Sequence, residues 1–210
     1  MLPYKWNKWG KYWVWEGNNL VAVGNKDMGY AVQEKGAVTI RKDRLISEHR
    51  GYYGTYKTRR EALACLELVD GTIEKGGELV LEFSGGDLEE WKRGGAWSSY
   101  VPKTGAHIIV YHKDFPTDLV HELEHKRLGY LGKVTPSQEV EVVSKTISKL
   151  KDSGLYSPEE RERTIDMLSG YIKRKDAKKK AEEIVSQMEA GEKPTIEGVS
   201  WKVRKSGELR

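Results

Sequence analysis

The stretch AHIIVYHKDFPTDLVHELEHKRLGYLGKVTPSQEVEVVSKTISKL, residues 106–150, decides the fold of this chain. Residues 106–112 form a short apolar run that predicts a buried strand. Residues 115–118 (FPTD) predict the start of a helix, because proline and an acidic side chain both favour the first helical turn. Residues 135–138 (TPSQ) have the form of a capping box and predict a second helix. The predicted order is therefore strand, helix, helix.

The first predicted helix carries the pattern HExxH, formed by His121, Glu122 and His125. Histidines four positions apart lie on one helical face, and this spacing lets both imidazoles reach one Zn²⁺ at about 2.0–2.1 Å. The glutamate can then take a proton from a metal-bound water. The pattern predicts a zinc-dependent hydrolase, with a peptidase acting on a peptide or protein substrate as the foremost hypothesis. The alternative is a surface helix with solvated histidines, in which Glu122 pairs with Lys126.

Two histidines leave a catalytic zinc site one protein ligand short. No other histidine follows the motif, and the one cysteine lies far upstream, so a carboxylate of the second predicted helix is the best candidate. Stepping back four residues from the apolar stripe at Val143 gives Glu139, which we take as the third ligand. Glu141 is the alternative ligand. Either residue could instead be a solvated glutamate that the helix dipole favours.

These motifs resemble the gluzincins, HExxH peptidases whose third zinc ligand is a glutamate on a second helix, and they are most similar to the compact members called minigluzincins. The resemblance covers residues 78–150. It implies an edge strand at residues 96–101, whose backbone at Ala96, Trp97 and Ser98 would bind an extended peptide by adding it as a strand.

The chain departs from the longer gluzincins beside the predicted ligand. Those proteins place Asn before the glutamate and Asp four residues after it, where this chain has Gln138 and Val143. The carboxylate that would orient a histidine ligand is therefore not at the family's position.

A peptidase of this kind also needs a group that holds the negative oxygen of the transition state, commonly a tyrosine or a histidine. Four residues are candidates: Tyr130, Tyr156, His107 and His112. For each of them, core packing or a surface hydrogen bond is the alternative interpretation.

The expected fold class is α+β, with a zincin-like core made of a small mixed sheet, the HExxH helix and the glutamate helix. Residues 1–72 predict a separate module, because short β-like runs divided by turn residues precede a capping box at residues 58–61. Residues 73–210 are the predicted peptidase domain, and two further helices are expected after residue 156. Those helices could cover the catalytic helix or block the cleft as a propeptide-like plug.

Positive charge is concentrated at the N-terminal end. Residues 1–60 carry 12 Lys and Arg against 5 Asp and Glu, a net charge of +7, whereas residues 61–210 carry 24 against 27, a net charge of −3. Basic residues among aromatic ones favour nucleic acid, since cations meet phosphates and rings stack on bases. Cross-strand packing of the rings is the alternative. The second hypothesis is thus a nucleic-acid-binding protein with a structural or inactive zincin-like domain.

Composition indicates the compartment. No apolar run is long enough for a membrane span, and the N-terminal residues do not have the form of a signal peptide. One cysteine excludes an intrachain disulfide and fits a reducing compartment, so a cytoplasmic, intracellular protein is expected. Charged residues make up 32% of the chain, with abundant Lys and Glu, which is the pattern of thermophilic proteins.

Overall fold

The computed structural model describes residues 5–41, 44–47, 51–83 and 96–202. They belong to two compact units, one made of described residues up to 83 together with 99–110, the other of 96–98 together with 111–202. The domain boundary predicted at residues 72 and 73 stays a prediction. Parts of the segments predicted for nucleic acid, 1–60, and for the peptidase domain, 73–210, lie outside the described residues.

The first unit contains an antiparallel sheet in the order β1-β2-β3-β4-β7. A short two-stranded ladder, β5-β6, accompanies it. The strands are β1 Asn7–Trp9, β2 Tyr12–Glu16, β3 Leu20–Asn25, β4 Gly29–Glu34, β5 Val38–Arg41, β6 Arg44–Ser47 and β7 Tyr52–Tyr56.

Helix α1, Arg59–Lys75, contacts β3, β4 and β7 of this sheet. It begins at the predicted capping box, in which Thr58 and Glu61 each bond the other's backbone N–H. Near its end, buried Asp70 accepts the backbone N–H groups of Asn18 and Asn19. A side chain at the neighbouring Gly17 would collide with the Asp70 carboxylate, since an added Cβ would lie 2.1 Å from Oδ2. The contact therefore fastens the turn between β2 and β3 to the helix.

A three-stranded sheet follows in the order β8-β10-β9, made of β8 Glu78–Phe83, β9 Ala96–Val101 and β10 Ala106–His112. The apolar run of β10 occupies the middle of this sheet and is buried through Val110, which confirms the prediction of a buried strand. Strand β9 lies at an edge. The edge of a sheet is a place where a further strand, such as an extended peptide, can pair.

Helices dominate the second unit: α2 Pro116–Arg127, α3 Pro136–Asp152, α4 Pro158–Tyr171 and α5 Ala177–Glu189. Pro116, Pro136 and Pro158 each stand in the first helical turn, as the sequence predicts. Thr135 and Ser157 cap α3 and α4 by accepting a backbone N–H. Helices α3, α4 and α5 share one apolar core, whose buried residues include Val143, Ile147, Ile165, Leu168, Ile184 and Val185.

The expectation of an α+β chain is confirmed. Among helices within the described ranges, none has the length and apolar character needed to span a membrane.

Candidate metal centre

Two side chains of α2 and one of α3 converge in the second unit. His121 and His125 lie on one face of α2, with their Nε2 atoms 3.1 Å apart. Glu139, in the first turn of α3, places Oε1 3.3 Å from Nε2 of His121 and Oε2 3.3 Å from Nε2 of His125. We call these three residues the His-His-Glu cluster. Within the described part of the chain, it is the group of side chains whose ligand atoms could hold a metal ion.

The spacing of the cluster fits a tetrahedral ion of the size of zinc. Two ligands at 2.0–2.1 Å from zinc, at a tetrahedral angle, are about 3.3–3.4 Å apart. The two Nε2 atoms are 3.1 Å apart, and each lies 3.3 Å from a different oxygen of Glu139. Two imidazole nitrogens and a carboxylate oxygen are also a donor set that catalytic zinc sites use. The residues present therefore fit the predicted metal.

A proton balances the charge of the cluster when no metal is bound. Burial lowers the pKa of His121, but nearby carboxylates, with Glu139 the strongest, outweigh it and raise that pKa to about 9. Burial likewise raises the pKa of Glu139, yet the charges and hydrogen bonds of the two histidines bring it down to about 2. Because histidine binds a metal in its neutral form, an incoming ion would displace this proton.

Within the ranges that the structure describes, Nδ1 of His125, the ring nitrogen that does not face the cluster, lacks the hydrogen bond that a metal-binding histidine commonly makes. A metal-binding histidine commonly donates its other ring N–H to a carboxylate or a carbonyl. Nδ1 of His125 is buried and has no hydrogen-bond partner among the described residues. This agrees with the sequence departure at Val143, where the longer gluzincins carry an aspartate.

A cleft of about 130 Å³ opens beside the cluster and is lined by residues of α2, α3 and α4. His121 and Glu122 line it from α2, and Val143 and Ile147 from α3. We call it the α2–α4 cleft. Glu122 is 9% exposed, so its carboxylate is largely shielded while still facing a space that a substrate could enter.

Helix α4 supplies the opposite wall through one helical face, formed by Glu160, Arg163, Thr164, Met167 and Tyr171. Apart from the adjacent pair 163 and 164, these positions are spaced by three or four residues, which is the repeat of a helix face. Helix α5 packs on α3 and α4. The C-terminal helices α4 and α5 therefore line and support the cleft, and neither fills it.

The structure separates the two candidate carboxylate ligands. Glu139 is buried against the histidines, whereas Glu141 is exposed and accepts a hydrogen bond of 2.6 Å from the Tyr130 hydroxyl. Helical periodicity assigned Glu139 to the buried face, and α3 presents that face to α2.

The predicted peptide-binding backbone contributes one residue to the cleft. Ala96 lines the cleft, while Trp97 and Ser98 follow it in the edge strand β9 and are not among the lining residues. Their role in binding stays a prediction.

The four predicted oxyanion residues are not among those that line the α2–α4 cleft, and their role stays a prediction. Tyr130 bonds Glu141, and Tyr156 packs against the core shared by α3, α4 and α5. His112 is buried, and its Nδ1 accepts the backbone N–H of Asp114, two residues before α2 begins. His107 belongs to the first unit, where its ring contacts Tyr100.

Sequence reasoning missed Tyr171, the last residue of α4, which lines the cleft together with Glu122. The pKa of its phenol is raised, first by burial and then by the negative charges of Glu139 and Glu122. Its hydroxyl thus remains protonated close to both carboxylates. The sequence places Tyr171 on the same helical face as Arg163 and Met167. That position identifies Tyr171 as a cleft residue only after the structure shows that this face lines the cleft.

Comparisons of the chain with protein-family models, with curated proteins and with solved structures find no match. The functional inference therefore depends on the geometry of the site itself.

Proposed function

We propose that this protein is a zinc-dependent peptidase of the gluzincin type, with His121, His125 and Glu139 as the metal ligands. The observation that carries the proposal is the convergence of these side chains, at tetrahedral ligand spacing, from two helices. Bound zinc would supply a Lewis acid that polarises the scissile carbonyl and acidifies water.

Glu122 is the proposed general base. Its carboxylate lines the cleft next to His121, where it takes a proton from the attacking water and returns it to the nitrogen of the leaving amine. The carbonyl carbon gains the hydroxyl, the C–N bond breaks, and the amine leaves with the transferred proton. Glu122 ends the reaction in its starting state.

Tyr171 is the proposed donor to the carbonyl oxygen as that oxygen becomes negative. Its raised pKa keeps the phenol protonated throughout the neutral range, so its O–H is available to donate. A donor fixed in place before the reaction costs no reorganisation when the charge develops. Tyr171 lines the cleft, whereas Tyr130 and Tyr156 are not among the residues that line it.

The proposed substrate is an extended peptide, free or within a protein. Strand β9 is at the edge of its sheet, and its first residue, Ala96, lines the cleft. A peptide that pairs with β9 as an added strand would be led to Glu122.

Zinc content and cleavage, measured together, test the proposal. Elemental mass spectrometry should find about one zinc per chain in the wild type and in Glu122→Gln. His121→Ala and Glu139→Ala should lose the metal, while Glu141→Ala, which removes the exposed neighbouring carboxylate, should keep it. Casein cleavage should be present in Glu141→Ala and absent in Glu122→Gln, His121→Ala and Glu139→Ala.

Two results would count against the proposal. A wild-type chain that takes up no zinc after reconstitution would rule out the metal site. A Glu122→Gln variant that cleaves casein at the wild-type rate would remove Glu122 as the base.

A second function, nucleic-acid binding through residues 1–60, is supported by the ring of Trp9, which is 54% exposed on the edge strand β1. Two other tryptophans are engaged in packing, since Trp6 lies 5.9 Å from Trp15 between ring centroids. Under this second proposal, single-stranded DNA should quench tryptophan fluorescence in wild type at low salt, and Trp9→Ala should weaken binding about tenfold. An absence of DNA binding in low salt would eliminate it.

A further inference from the structure

The α2–α4 cleft is also lined by two carboxylates, those of Asp118 and Glu160, and by one guanidinium, that of Arg163. Arg163 places Nη2 2.5 Å from Oδ2 of Asp118 and Nη1 3.1 Å from Oε1 of Glu160. Its guanidinium also lies 4.2 Å from the centre of the Phe115 ring. These contacts hold Arg163 in place, and three carboxylates, those of Asp118, Glu122 and Glu160, line the cleft together with this one guanidinium.

The carboxylates retain capacity to accept further hydrogen bonds. An ionised carboxylate has about four acceptor sites. Oε2 of Glu160 accepts the hydroxyl of Thr117 at 2.7 Å, and Oδ2 of Asp118 accepts a hydrogen bond from Nη2 of Arg163. The side chains of Asp118 and Glu160 are 22% and 19% exposed. A cation arriving there would meet acceptors that water and salt screen only in part.

The same cleft has an aliphatic wall. Val143 and Ile147 line it from α3, and Met167 lines it from α4. The volume of about 130 Å³ is small compared with the ~300–1,000 Å³ of clefts that enclose a whole ligand, and it suits one side chain. A lysine or arginine side chain combines an apolar stem with a cationic end. It therefore matches a cleft lined by both aliphatic side chains and carboxylates.

We propose that the α2–α4 cleft binds a lysine or arginine side chain of the substrate, adjacent to the scissile bond. The stem packs on Val143, Ile147 and Met167, and the cation pairs with the carboxylates of Asp118 and Glu160. The proposal rests on the peptidase function proposed above and gives it a substrate class. An acidic side chain is disfavoured in the same place because it would meet the carboxylates of Asp118 and Glu160.

Three peptides that differ in one residue test the proposal. The variable residue, placed in turn on each side of the scissile bond, is lysine, norleucine or glutamate; norleucine keeps the carbon chain of lysine and lacks the ammonium. At one of the two positions, kcat/KM for the lysine peptide should exceed that for the norleucine peptide about tenfold or more, as expected for a hydrogen bond to a charged group. Glutamate should give the lowest value. Equal values for lysine and norleucine at both positions, or a preference for norleucine, would overturn the proposal.

Glu160→Gln and Glu159→Gln form a matched pair of variants. Glu160 lines the cleft, whereas Glu159 is the exposed neighbour outside it. The ratio of lysine to norleucine cleavage should fall towards one in Glu160→Gln and stay at the wild-type value in Glu159→Gln. A ratio that is unchanged in Glu160→Gln, with the variant folded by circular dichroism, would contradict the assigned role of this carboxylate.

Binding measured without cleavage separates this proposal from that of the peptidase. Calorimetry of the same peptides with metal-free wild type and with Glu122→Gln should show the lysine peptide binding about tenfold more tightly than the norleucine peptide. If no peptide is cleaved and no zinc is bound, the peptidase proposal fails. Tighter binding of the lysine peptide would still support a cleft that binds a basic side chain. Equal binding of the two peptides overturns the pocket even in a chain that binds zinc and cleaves casein.

Discussion

Glu124 and Lys149 form an ion pair between α2 and α3, the two helices that carry the His-His-Glu cluster. Glu124 is fully buried and directly precedes His125, and Arg127 contacts it at 2.7 Å. Burial raises the pKa of Glu124, but hydrogen bonds from Lys149 and Arg127 outweigh that effect and hold it below its ordinary value. The ion pair thus joins α2, at the residue before His125, to α3 at a point ten residues after Glu139.

Replacing Lys149 tests this connection. Lys149→Met leaves the buried Glu124 carboxylate with Arg127 alone, so the free energy of unfolding should fall by about 1–3 kcal/mol. Zinc affinity should fall as well, because α3 would be held less firmly against α2. Urea denaturation and competition with a zinc chelator measure the two effects. Lys145→Met, at an exposed position of the same helix, should change neither, and an equal loss in both variants would refute the role of the ion pair.

The raised pKa of His121 predicts the pH dependence of stability in the metal-free protein. The group titrates near 6.5 when unfolded and at about 9 when folded. Its protonated pairing with Glu139 therefore stabilises the fold fully below pH 6.5, and this contribution is lost as pH rises through 9. The free energy of unfolding should be about 3 kcal/mol lower at pH 9.5 than at pH 6.

Denaturation of chelator-treated protein at several pH values measures this loss. His121→Gln should show a much smaller loss over the same range, since it has no proton to release. A metal-free wild type whose stability is unchanged from pH 6 to 9.5 would show that His121 is not protonated in the fold.

Tyr171→Phe separates the proposed oxyanion donor from the tyrosines that the sequence offered. Loss of one such donor typically lowers kcat by about 10²–10³-fold, and KM and zinc content should change little. Tyr130→Phe removes a hydroxyl that bonds Glu141 outside the cleft and should leave kcat near the wild-type value. If Tyr130→Phe loses activity and Tyr171→Phe keeps it, the assignment is reversed.

The apolar core of α3, α4 and α5 sets the stability of the second unit. Leu168 is completely buried in this core, whereas Leu155 is 55% exposed. Leu168→Ala should lower the free energy of unfolding by about 2–5 kcal/mol, while Leu155→Ala should stay within about 0.5 kcal/mol of wild type. Thermal and urea denaturation compare the two. Similar losses would mean that this core contributes little to stability.

Several elements followed from the sequence because their causes act over one or two turns. Capping at Thr58 and Thr135 and proline at the start of α2, α3 and α4 are local chemistry. The apolar run of β10 predicted a strand that its neighbours bury. The HExxH spacing placed His121 and His125 on one face for the same reason, since i and i+4 are neighbours in any helix.

By itself, then, the sequence determined the α+β class, the helix starts and a pair of histidines side by side. Only the tertiary structure decided which glutamate stands beside them and which tyrosine lines the cleft. Glu139 meets the histidines because α3 packs on α2 with that face inward, and Tyr171 reaches the cleft because α4 packs opposite. Helix packing depends on the side chains of both partners and on connections far apart in the chain, whereas periodicity within one helix says which residues share a face and not what that face meets.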